Sequence, residues 1–94
     1  MNSKSVKIRL TTDVGKHLYL TINYFPKKSW QKERMVDNFY LTENARWASP
    51  VPLKDARRWM REAKWIAGDD GDVIEKGEYM IGGKPTTLKA AGLR

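Results

Sequence analysis

Residues 53–67, LKDARRWMREAKWIA, constrain the fold more than any other stretch, because helical periodicity sorts them into chemically distinct sides. With Leu53 at zero and about 100° per residue, Ala56, Met60, Ala63 and Ala67 share an arc of roughly 280–340°, with Trp59 and Ile66 at its edge. Lys64, Arg57, Arg61, Lys54 and Arg58 occupy the arc from roughly 20° to 140°, with Trp65 among them. Asp55 and Glu62 stand between the basic sector and the Trp59 edge. Ala56 and Ala63 allow close approach to a neighbouring layer, and Trp59 and Met60 fill the space beside them. Such a helix needs an apolar surface to lie on and turns its cations away from it.

The preceding residues supply that surface. Val6, Ile8 and Leu10 alternate with Lys7, Arg9 and Thr11. After the turn Asp13-Val14-Gly15-Lys16, Leu18, Leu20, Ile22 and Tyr24 alternate with Tyr19, Thr21, Asn23 and Phe25. Period two on both sides of a short turn predicts an antiparallel hairpin, with Gly15 free to take positive φ. Pro26 ends the second strand, since it cannot donate to a ladder. Residues 26–37, PKKSWQKERMVD, have no clean period and read as a long loop, with a helical turn over Gln31–Met35 as one option. A third strand is expected over Asn38–Thr42, resuming at Ala45–Ala48.

Ser49 would cap a helix that starts early, and Gly68 would close its end in the left-handed conformation. Val73–Ile74 and Tyr79–Ile81 flank Gly77, as one bulged strand or a tight hairpin. Residues 85–93 read either as a short helix capped by Thr86 or Thr87 or as a frayed tail. The expected fold is α+β, in a single domain over residues 1–94. It has a three- to four-stranded antiparallel sheet with one amphipathic helix on one face, in the order β-β-β-α-β. The other sheet face would present Lys7, Arg9, Tyr19, Thr21 and Asn23.

The net charge of +7 is unevenly spread. Residues 1–64 carry a surplus of +8, residues 65–83 a deficit of −4, and residues 84–94 three cations and no acid. A basic body of this kind favours anionic partners, above all nucleic acid. With no cysteine, a disulfide framework and a Cys-based zinc site are both excluded. The apolar runs are too short for a membrane span or a signal peptide, so a cytoplasmic chain without a membrane partner is expected.

No catalytic or metal constellation emerges. His17 stands alone, with no Ser/His/Asp arrangement around it. Asp69-Asp70-Gly71-Asp72 lacks the spacing and the later glutamate of a calcium loop. Gly82-Gly83-Lys84-Pro85-Thr86-Thr87 lacks phosphate-loop spacing, with proline where the hydroxyl residue belongs. Neither enzyme activity nor a cofactor or metal is expected.

The candidate binding residues are therefore Lys54, Arg57, Arg58, Arg61, Lys64 and Trp65 on the helix, with Lys27, Lys28, Trp30 and Lys32 in the loop. Cations would take phosphates, and the two tryptophans would stack on bases. The structural alternatives are a solvated helix face with an Arg58–Glu62 pair, Trp65 folded over the helix end, and Trp30 tucked back as a lid on the core. No family motif is present. Three strands followed by an amphipathic helix resemble, in outline, plant-type DNA-binding domains that read the major groove with their sheet, but the signature residues of that family are absent. The small size, charge, lack of cysteine and density of tryptophan resemble small phage or mobile-element accessory proteins. The expected function is a non-enzymatic module engaging nucleic acid, or a complex bound to it. The alternatives are a protein-interaction or inhibitor module docking on an acidic protein, and a homodimer built through an edge strand near Tyr79–Ile81.

Overall fold

The computed structural model describes residues 5–92. Strands β1 (Ser5–Thr12) and β2 (His17–Tyr24) form the expected hairpin, with Arg9 opposite Tyr19 and Leu10 opposite Leu18. Gly15 takes φ 82°, and the Thr12 N–H donates to the Lys16 carbonyl at 2.9 Å to close the turn. Strand β3 (Val36–Thr42) returns along the far side of β2. On the other side of β1 lies β5 (Ile74–Ile81), one bulged strand rather than a hairpin. Its register slips at Glu75, so that Thr11 faces Lys76 while Thr12 faces Ile74.

The chain then turns through Gly82 and Gly83, both at positive φ, into β6 (Lys84–Thr86). A two-residue strand β4 (Val51–Pro52) also pairs with β1. The sheet has six strands, ordered β3-β2-β1-β5-β6 with β4 beside β1, where the sequence suggested three or four. Because β5 is paired on both sides, the edge expected near Tyr79–Ile81 does not exist.

A 3₁₀ turn over Leu53–Asp55 leads into α1 (Ala56–Asp69). Its buried stripe is Ala56, Trp59, Met60, Ala63 and Ala67, as the periodicity requires. This stripe seals the sheet face carrying Val6, Ile8, Leu10, Leu18, Leu20 and Ile22. Trp59 meets Phe39 of β3 edge-on, with ring centroids 5.1 Å apart. Met60 crosses Gly77 of β5, where a Cβ would lie 2.5 Å from the Met60 sulfur. Gly77 is therefore a close-approach glycine, and its missing side chain lets the helix settle on the sheet.

Gly68 does not end α1; it lies inside the helix, and Gly71, at φ 89°, takes the left-handed position. The Gly71 N–H donates to the Gly68 carbonyl and the Asp72 N–H to the Ala67 carbonyl, at 3.0 and 2.9 Å. Those two bonds make a Schellman closure three residues later than the sequence suggested, satisfying carbonyls of the last turn. The end of the described chain is a short helix, α2 (Leu88–Ala91), rather than a frayed tail. Thr87 Oγ1 accepts from the Ala90 N–H at 3.0 Å, and Leu88 and Ala91 join the core.

The largest departure lies between β3 and α1. Residues 45–48 do not resume a strand; Ala45–Trp47 form a 3₁₀ turn lying over the sheet face opposite α1. There Thr21 Oγ1 donates to the Trp47 carbonyl at 2.7 Å. The chain then passes between β1 and β2 where these strands diverge. The Ser49 N–H donates to the Leu20 carbonyl at 2.9 Å, and Ser49 Oγ accepts the Ile22 N–H at 2.8 Å. Two residues on, Val51 pairs with Val6 of β1. Ser49 is thus not a helix cap; it stitches the β2 edge of a forked sheet. This crossing covers part of the outer face, which is why Thr21, expected to meet water, is buried.

Candidate functional site

All ten candidate residues are exposed: Lys54, Arg57, Arg58, Arg61, Lys64, Trp65, Lys27, Lys28, Trp30 and Lys32. The helix splits its cations into two flanks. Trp59 against Phe39 fixes the side toward β3, where Lys54 and Arg58 lie. Met60 and Lys64 over Gly77 fix the side toward β5, where Arg57 lies near Tyr79. Burial raises the Tyr79 hydroxyl above its ordinary pKa, with Arg57 pulling weakly the other way. Helical phase puts Arg61 and Trp65 on the crest between the flanks.

On the β3 flank the helix and the long loop share one trough. A concavity of about 560 Å³ is floored by Ile22, Tyr24 and Trp59 and rimmed by Arg34, Lys54 and Arg58. A second, of about 410 Å³, continues past Tyr24 and Arg34 to Phe25, Pro26 and Lys27. Lys27 and Arg34 of the loop and Lys54 and Arg58 of the helix therefore line one continuous depression. Glu33 and Asp55 also border it, and Lys54 Nζ approaches Glu33 Oε1 at 3.6 Å. Both partners of that ion pair are highly exposed, so it holds the loop only weakly. Lys28, Trp30 and Lys32 do not line the trough; they sit at the loop tip, around a tight turn closed by Gln31 N–H to the Lys28 carbonyl.

The structure also separates the alternatives raised by the sequence. Residues 31–35 form no helical turn. Trp30 is 76% exposed and Trp65 67%, so neither is a lid. Among the described residues Arg58 forms no ion pair with Glu62; its guanidinium lies over the Trp59 ring at 5.6 Å. Lys28 similarly lies over Trp30 at 5.4 Å and Arg34 over Tyr24 at 5.8 Å. Cation-bearing aromatic rings thus recur along the loop and the trough. Arg34 belongs to the basic 26–34 loop that the sequence marks, whereas Tyr24 and Phe25 carry no sequence signal for the site. The strand alternation places Tyr24 and Phe25 on opposite faces of the second strand and gives no sign that both border one depression.

The outer sheet face offers less free charge than expected. Arg9 Nη2 donates to Glu78 Oε1 at 2.7 Å, and Lys76 Nζ lies 3.9 Å from the other carboxylate oxygen. The Arg9 hydrogen bond holds the Glu78 carboxyl below the usual carboxylate range, and the same bond raises Arg9. A cavity of about 270 Å³ opens beside this pair, lined by Lys7, Arg9, Tyr19, Ala48, Met80 and Gly83. No group of three or more His, Cys, Asp or Glu side chains among the described residues could hold a metal ion. No helix among them is long and apolar enough to cross a membrane. No protein-family model, curated protein or solved structure matches the chain.

Proposed function

We propose that this chain is a non-enzymatic module that binds nucleic acid through the cations of α1 and of the 26–34 loop. The observation that carries the reading is the shared trough: Lys27 and Arg34 from one element and Lys54 and Arg58 from another border the same depression. Arg57, Arg61 and Lys64 extend the positive surface over the helix crest, exposed and without ion-pair partners among the described residues. Cations held by a folded scaffold around a groove can meet successive phosphates with little ordering cost, unlike cations scattered on a mobile tail.

Three to five phosphate contacts give a log–log salt slope of roughly −3 to −4.5, so affinity falls about a hundredfold between roughly 50 and 200 mM salt. An electrophoretic titration at those two salt concentrations reads this directly. The triple variant Arg57/Arg58/Arg61→Glu, folded by circular dichroism, is expected to lose the binding. Absence of salt-sensitive binding up to roughly 100 μM overturns the proposal. A partner captured equally well from nuclease-treated lysate would favour an acidic protein instead.

A further inference from the structure

We infer that the trough takes single-stranded rather than duplex nucleic acid, a refinement that rests on the nucleic-acid reading above. Two independent features lead there. The first is shape. The depression lies between a loop and a helix, has an aromatic and aliphatic floor, and carries four cations on its two rims against two acids, Glu33 and Asp55. Its two concavities are open at the surface, and each has room for a nucleotide unit laid along the floor.

The second feature is exposed aromatic surface, in the trough at Phe25 and outside it at Trp30 and Trp65. Trp30, Trp65 and Phe25 are 76%, 67% and 49% exposed, and none is needed to seal the core. Exposed flat rings beside cations are stacking platforms, and only unpaired bases have free faces to stack on them. In a duplex those faces are already occupied, and Trp at the crest of α1 would add bulk without a base edge to read. A single strand laid along the trough would place phosphates at Lys27, Arg34, Lys54 and Arg58. Its bases would turn toward Tyr24 and Phe25, which line the trough, while Trp30 at the loop tip and Trp65 on the helix crest stand outside it.

The test uses the full chain and a fluorescein-labelled DNA of ~16 nucleotides, compared with the same strand annealed to its complement and with the RNA strand of equal sequence. Anisotropy is expected to show one of the single strands bound at least about tenfold tighter than the duplex, with quenching of the protein's tryptophan emission on binding. The double variant Phe25→Ala/Arg34→Ala changes only exposed side chains and should cost the single strand about tenfold or more while leaving the thermal midpoint in place. Trp30→Phe and Trp65→Phe assign the quenching. Duplex binding equal to or tighter than both single strands overturns this inference and leaves the nucleic-acid reading standing. Binding of neither form overturns that reading and this one with it. Competition by polyglutamate as effective as by the single strand shows that charge alone is recognised, and also overturns the inference.

Discussion

Trp59 and Trp65 stand on the same helix, six positions apart, and meet opposite fates. Trp59 is 7% exposed and packed edge-on against Phe39, while Trp65 is 67% exposed among arginines and lysines. Residue type cannot account for the difference; helical phase does, since six positions carry a side chain across to another side of the helix. The comparison separates what the helix needs in order to dock from what it carries once docked. The side bearing Trp59, Met60 and the alanines is used up by the sheet. Nothing in the fold requires the Trp65 side to be aromatic or basic, and an exposed tryptophan amid cations is an uncommon choice for a surface that only meets water.

Substitutions can break this division. Trp59→Ala should destabilise the fold by about 3–5 kcal/mol in urea unfolding, because it empties a filled site under the helix. Gly77→Val should cost about 1–3 kcal/mol by the same measurement, since the new side chain displaces Met60 and lifts α1 from β5. Trp65→Ala should fall within about 0.5 kcal/mol of the parent, and its effect should appear in binding rather than in unfolding. A loss on Trp65→Ala comparable to that on Trp59→Ala would erase the distinction. A loss in between would place Trp65 in a satellite contact with the helix end.

Legibility in the sequence followed the same physical line. The β1–β2 hairpin and the buried stripe of α1 could be read because each rests on a local period set by one buried face. The crossing at residues 45–52 could not, since Ser49 and Thr21 find their partners across the chain, 27 and 26 residues away. Gly68 is a reasonable terminator by residue type, yet it keeps helical backbone, and Gly71 takes the left-handed position from which its own N–H and that of Asp72 close the last turn. Strand β6 was hidden by Pro85, which tolerates a sheet edge but argues against a strand in any sequence pattern. Of the candidate site, the helix cations were legible from phase alone. The trough was not, because it exists only where a loop without periodicity comes to rest beside the helix start.

The position of β1 has a consequence for how the chain is made. It is the innermost strand of the sheet, yet its pairing with β5 joins residues far apart in the chain, such as Arg9 and Glu78, 69 positions on. At translation rates of about 5–20 residues per second, a strand with three fully buried apolar side chains waits roughly 3–14 s for that neighbour. Until then the hairpin has an open edge, the kind of surface on which nascent chains aggregate. Lys7 and Arg9 interrupt the apolar residues of that strand at every second position, a charge pattern that discourages pairing with other chains. One of them, Arg9, then changes duty on completion of the sheet, when Glu78 arrives to pair with it.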